Sequence, residues 1–198
     1  MNSPLRNVLV VAVLLVGLFF ITTSRENAVF TKSDTIFTGD KSEITKIMIQ
    51  KGENAIQLNK QDTLWQIMGV DTLITRQNRI DDLFDKVLEV KRTTIRSKKE
   101  ANWINYEVDD STGTHLALVD NEDNTIGYFI FGKSKSDWAH NFVRLRSENE
   151  SKDVLKNVYE TSESVIHFLN TTATYWGEKP PVPELESVEI DSLGIIKE

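Results

Sequence analysis

The chain contains no cysteine and only three histidines among its 198 residues. Without cysteine it forms no disulfide, offers no thiol chemistry and cannot be acylated as a lipoprotein. The histidines are His115, His140 and His167, and no two of them are spaced i, i+2 or i, i+4. A metal site built on them would need three distant elements to converge. We therefore expect no resident metal ion and no cofactor.

Signatures of the common enzyme classes are also missing, since the chain holds no G-x-S-x-G, no P-loop and no H-E-x-x-H. The 30 acidic residues outnumber the 23 basic ones, which gives a net charge of -7, whereas nucleic-acid-binding proteins carry a basic surface. We expect a protein that is not an enzyme and binds no nucleic acid. The one basic cluster, residues 91–99, fits either a patch for anionic lipid headgroups or a solvated edge after a helix.

The longest apolar run covers residues 8–21. As a helix it measures roughly 21 Å against a hydrocarbon core of about 30 Å, and Thr22 and Thr23 can extend it. We predict a transmembrane anchor over residues 1–24 that contacts the membrane through residues 5–23. A cleaved signal peptide is the alternative.

Charges beside the run predict its orientation. Arg6 precedes it without any acid, whereas Arg25 beyond it is followed at once by Glu26. The positive-inside rule then keeps the N terminus in the cytoplasm. We predict a single-pass protein of the cell membrane whose C-terminal domain is extracytoplasmic.

Period-two alternation predicts strands at the start of the folded part. Residues 25–43 are polar and lack a clear period, which predicts a linker, and the domain is expected over residues 44–176. Apolar residues alternate with polar ones on both sides of residues 52–54, which is typical of a hairpin, and again at Trp65 and Ile67.

A helical period follows these strands. Thr75 is the expected N-cap of this first amphipathic helix. Its apolar stripe consists of Ile80, Leu83, Phe84, Val87 and Leu88.

The remaining pattern predicts more strands and one further amphipathic helix. Strands are expected over residues 115–119 and 125–131 and in the segments NFVRLRSE and DVLKNVYE. The segment TSESVIHFLN is expected to form the second helix, capped by Thr161 or Ser162. Strand clusters with short turns favour an α+β fold with a mainly antiparallel sheet. Residues 177–198 are expected to form a proline-rich spacer and a terminal hairpin, which pairs within the chain or with a partner.

Aromatic residues near loops are the best candidates for contacts. Trp138, in the segment GKSKSDWAHN, is the first candidate for an exposed contact. Tyr175 and Trp176 are further candidates, which either contact the membrane interface or close the domain. For Trp65 and Trp103 we favour packing against the sheet.

Several spaced motifs resemble the family catalogued as domain of unknown function 4340, over residues 40–176. They are a membrane segment before the domain and the residues Trp65, Tyr106, Gly132, Lys133, Val158 and Tyr159. The resemblance implies a membrane-anchored protein of a bacterial envelope, associated with gliding-type or auxiliary ABC transport components. It implies no catalytic residue.

Two functions remain from the sequence. The first is a non-enzymatic, membrane-anchored accessory subunit that binds a membrane complex of transporter type. The second is an envelope module that recognises a glycan or lipid through exposed aromatic side chains. The second predicts a groove lined by tryptophan or tyrosine.

Overall fold

The structure is a computed structural model that describes residues 34–135, 137–146 and 152–181. Ten strands form within these ranges: β1 (Lys46–Lys51), β2 (Asn54–Gln61), β3 (Leu64–Ile67), β4 (Ile74–Thr75), β5 (Arg92–Ser97), β6 (Thr114–Val119), β7 (Thr125–Lys133), β8 (Asn141–Leu145), β9 (Val158–Thr161) and β10 (Gly177–Glu178). Eight of them build one sheet in the order β3-β2-β1-β6-β7-β8-β9-β5, and β4 pairs with β10. Every neighbouring pair is antiparallel.

Short helices connect and cover the strands. They are α1 (Gln77–Asp82), which continues into a π-helical turn (Leu83–Val87), α2 (Lys152–Leu155), α3 (Ala173–Trp176) and 3-10 turns at Lys41–Glu43, Glu100–Tyr106 and Ile166–Phe168. The predicted α+β class with a mainly antiparallel sheet is confirmed. None of the helices in the described ranges has the length and apolar character needed to cross a bilayer. The predicted anchor, residues 1–24, lies outside those ranges.

The main core lies between one face of the sheet and the first predicted helix. Alternation along β1 and β2 turns Ile47, Ile49 and Leu58 inward with no exposed surface. Leu83 and Val87 from the predicted stripe meet them and are also fully buried. The spacing of the apolar residues therefore predicted correctly which face of this helix packs against the sheet.

The start of that helix differs from the prediction. Arg76 is the N-cap residue and makes no side-chain cap bond, whereas Thr75 belongs to β4. Thr75 pairs with Gly177 across the two-stranded sheet. Its extended backbone is held by that pairing, so it does not cap the helix.

A second, smaller core lies on the other face of the sheet. Val108, Ile130 and Val158 are fully buried there beneath Trp103 and Tyr106 of the Glu100–Tyr106 turn. A glycine is required where this segment crosses β7, because a Cβ at Gly132 would lie 1.9 Å from the Tyr106 carbonyl oxygen. The segment covers only part of this face.

The second predicted helix does not form. Thr161 ends β9, and only the Ile166–Phe168 turn is helical. The buried Asn141 side chain accepts hydrogen bonds from the backbone N–H groups of Val165 (2.6 Å) and Ile166 (2.9 Å), which fixes this segment against β8. In DVLKNVYE the first residues belong to α2 and only the last three to the strand β9.

The compact part extends beyond both predicted domain boundaries. Ile36 and Phe37, from the predicted linker over residues 25–43, are buried in the core. Ile36 donates a backbone hydrogen bond to the Val90 carbonyl at 2.9 Å. At the other end β10 continues the fold past residue 176. The predicted terminal hairpin lies outside the described residues.

Candidate functional site

Trp138 is the most exposed large apolar side chain in the described part of the chain, at 90% of its maximal exposure. It lies on the loop between β7 and β8. Asp137 on one side donates its backbone N–H to the Ser134 hydroxyl oxygen at 2.9 Å, and Ala139 on the other donates to the Asp137 carboxylate at 2.9 Å. The backbone around Trp138 is therefore held in place while the indole lies in solvent.

The carboxylate that organises this loop is charged. Asp137 and His140 are in contact through Oδ2 and Nδ1 at 2.6 Å. This hydrogen bond, with the one from the Ala139 backbone, lowers the pKa of Asp137 below its ordinary value. The Trp138 ring consequently lies next to the negatively charged Asp137 carboxylate.

Asp137, His140 and Glu160 form the closest approach to a metal-ligand set among the described residues. One ligand atom from each lies within 4.8 Å of the other two. Each group already has a partner, because His140 contacts Asp137, and Arg96 donates to Glu160 at 2.5 Å. A divalent cation would have to displace the Asp137–His140 contact and approach the Arg96 charge.

Strand pairing explains why the sequence did not indicate this cluster. The spacing of Asp137 and His140 is visible in the sequence, but Glu160 comes from β9. It reaches them because Phe142 pairs with Glu160 between β8 and β9. No local sequence pattern indicates this register between β8 and β9.

The other two candidate contacts are not both at the surface. Tyr175 is half-buried, with the Arg79 guanidinium 4.5 Å from its ring centroid, and burial raises the pKa of its phenol. Trp176 is completely buried and donates its indole N–H to the Asn170 carbonyl at 2.7 Å. Trp176 thus closes the core, which is the second of the two alternatives predicted for it, and it offers no surface for a contact.

The two tryptophans expected to pack do so. Trp65 is buried in the main core. Trp103 donates its indole N–H to the Lys156 carbonyl at 3.0 Å, and the buried Arg144 guanidinium stacks 3.8 Å from its ring centroid. Arg144 also donates to the Asp110 carboxylate at 2.5 Å.

A groove of about 350 Å³ opens beside Trp103 and Arg144. Four cationic side chains from β8, α2 and adjoining residues line it together with the acids Asp110 and Glu100. The cations are Arg144, Arg146, Lys152 and Lys156. The sequence did not indicate this groove, because its cations come from two separate segments.

Three ionisable side chains outside these clusters, those of Asp109, His115 and Asp120, have structural hydrogen-bond partners. Asp109 accepts hydrogen bonds from the backbone N–H groups of Ser111 (2.9 Å) and Thr112 (3.1 Å), which makes a turn. His115 contacts the Tyr128 hydroxyl at 2.8 Å, and burial lowers its pKa. Asp120 accepts from the Asn124 backbone at 2.8 Å, so residues 120–124 form the turn between β6 and β7.

Comparison with family models, curated proteins and solved structures finds no match to this chain. The fold and the site geometry are therefore the basis on which function is argued.

Proposed function

We propose that the chain is a non-enzymatic, single-pass membrane protein whose extracytoplasmic domain docks a partner protein through the Trp138 loop. One observation carries this proposal: an indole that is 90% exposed on a loop fixed by hydrogen bonds. Tryptophan is among the commonest hot-spot residues because it buries a large area at low entropic cost. Because the backbone N–H groups of both neighbours of Trp138 are already hydrogen-bonded, the indole loses little further freedom on binding.

The site geometry favours a protein partner over a glycan or lipid. Trp138 is not among the residues that line the grooves of about 350–370 Å³ at Met48, at Arg144 and at His167. Trp103 does line a groove, but Arg144 already stacks on its ring. A single protruding indole suits insertion into a pocket on another protein.

The apolar run at residues 8–21 supports a membrane tether for this domain. The intervening residues 25–33 could span at most roughly 30 Å when extended. A partner that reaches Trp138 would then lie close to the membrane. The resemblance to the family named above suggests a complex of ABC-type or gliding-type transport as this partner.

Affinity purification of the full chain tests the proposal. A C-terminal tag, mild detergent and mass spectrometry would identify co-purifying proteins and the N-terminal peptide of the bait. We expect stoichiometric recovery of a membrane complex and an intact apolar segment. Trp138→Ala should weaken recovery by about 30-fold in affinity, the scale of a 2 kcal/mol hot spot.

Ile104 offers a matched control, because it is a large apolar residue that is 61% exposed elsewhere on the surface. Ile104→Ala should leave recovery unchanged. Equal recovery with Trp138→Ala would refute the docking role of the loop. A bait that begins near Arg25 and is recovered alone would refute the tethered accessory subunit.

A further inference from the structure

The strand β3 lies at one end of the eight-stranded sheet, and no strand in the described ranges pairs with its outer edge, where the Ile67 carbonyl accepts only the Val70 backbone N–H at 3.3 Å. The Met68 backbone N–H donates to the Gln57 carbonyl of β2 at 2.9 Å. Because hydrogen bonds alternate along an antiparallel pair, the amides of Leu64 and Gln66 also face β2. The amides of Trp65 and Ile67 then point away from the sheet, toward the outer edge.

Exposed apolar side chains concentrate around this edge. Four of the six large hydrophobic residues that are exposed in the described ranges belong to β1, β3, β4 or the residue after β3. They are Leu64 (67%), Met68 (52%), Ile74 (52%) and Met48 (37%). Met48 and Met68 line the same groove of about 370 Å³. Proteins normally cover or charge an apolar strand edge, because it otherwise invites pairing.

The described chain also ends beside β3. A Cβ at Gly177 would lie 2.7 Å from Cδ1 of Ile67, so β10 passes directly against this strand. Residues 182–198 continue from there. The residues from 182 to 190 could span roughly 30 Å when extended. This reach exceeds the length of the four-residue strand β3.

The sequence of this terminal segment has the pattern of an added strand. Val188 and Ile190 alternate with Glu189 and Asp191, which is typical of a strand with one buried face. Three of the chain's four prolines lie just before it, at positions 180, 181 and 183. A stiff spacer at this point would limit the positions that the following strand can reach.

We propose that residues 187–191 pair antiparallel with the outer edge of β3 and extend the sheet by one strand. In this arrangement Ile190 and Val188 lie beside Trp65 and Ile67, respectively, on the core face, and Glu189 lies beside Gln66 in solvent. This inference does not depend on the proposed docking function.

Amide exchange of the full chain in detergent micelles tests the added strand. The amides of Trp65 and Ile67 should exchange at least about tenfold more slowly in the wild type than in the double variant Val188→Asp/Ile190→Asp. Glu189→Gln is the matched control, since it changes the solvent face and should preserve the slow exchange. The opposite sheet edge, β5, should show the same rates in all three proteins.

Disulfide trapping identifies what occupies the edge, and the absence of native cysteine makes the result unambiguous. Gln66 would occupy a non-hydrogen-bonded position opposite the new strand, where Cβ atoms approach closely enough for a disulfide. Gln66→Cys should therefore form an intrachain bridge with cysteine placed at one of positions 187, 189 or 191. All three lie on the solvent face of the proposed strand.

Two results would overturn the proposal. A disulfide-linked dimer in place of the intrachain bridge would assign the edge to the tail of a second copy. Fast exchange of Trp65 and Ile67 in the wild type, with no bridge at any of the three positions, would show that the tail leaves the edge open. An intrachain bridge together with slow exchange supports the proposal.

Discussion

The same substitution at two tryptophans should have opposite effects on stability and on binding. Trp176 has no exposed surface, whereas Trp138 is 90% exposed. Burial of a tryptophan removes roughly 200 Å² from water, which is worth about 5 kcal/mol at 25 cal/mol per Å². Alanine retains part of this contribution, and loss of the indole bond to the Asn170 carbonyl costs about 1 kcal/mol. We expect Trp176→Ala to lower the free energy of unfolding by roughly 4 kcal/mol.

At the exposed position the cost should be small. Trp138→Ala removes no buried area, so its effect on unfolding should stay within about 0.5 kcal/mol. Its effect should appear in partner recovery. The two variants therefore separate folding from binding with one chemical change.

Urea unfolding of the full chain in micelles is the assay. Far-UV circular dichroism should be the signal, because tryptophan fluorescence changes with the substitution itself. With a slope of about 2 kcal/mol per M, Trp176→Ala should shift the midpoint by roughly 2 M. A shift below about 0.5 M would refute the assignment of Trp176 to the core. A comparable shift for Trp138→Ala would refute the assignment of Trp138 as a solvent-exposed indole.

Three further predictions follow from the fold. Gly132→Ala should destabilise by more than about 3 kcal/mol in urea unfolding, since its Cβ would overlap the Tyr106 carbonyl. Asn141→Ala should cost roughly 2–4 kcal/mol in the same assay, because the buried N–H of Val165 and the partly buried N–H of Ile166 lose their acceptor. Although burial would raise the pKa of Asp109, hydrogen bonds from Ser111 and Thr112 hold it well below its usual range. Its carboxylate therefore stabilises the fold at neutral pH, and this stabilisation is lost as the pH falls below about 4. Asp109→Asn should flatten the decline in urea midpoint between pH 4 and lower pH.

Alternation in the sequence predicted the strands well where one face is buried. The hairpin of β1 and β2 forms around Gly52, whose positive φ of 58° suits the predicted turn. The strands β6 and β7 begin and end close to the expected residues. In these segments the alternation of apolar and polar residues follows from which face of the strand is buried. The strands can therefore be inferred without knowledge of contacts to distant residues.

The predictions were wrong where a side chain from a distant part of the sequence determines the backbone conformation. The Val165–Ile166 segment has apolar residues compatible with a helix, but Asn141 takes the N–H groups that would begin it. The exposure of Trp138 was predictable from the polar loop around it. For Trp176 the sequence left a surface contact and a closing of the domain both open, because α3 spans only one turn and shows no period from which to infer a buried face.

The pairing of β1 with β6 has a consequence for folding kinetics. Residues 52–113 lie between these strands, although they are direct neighbours at the centre of the sheet. The meander from β6 to β8 needs only short loops and should form early, whereas closing the β1–β6 ladder carries the entropy of a long loop. During synthesis, β1 therefore keeps one unpaired side until residue 119 has emerged. In that interval the N-terminal hairpin is the part of the newly made chain that most needs protection from aggregation.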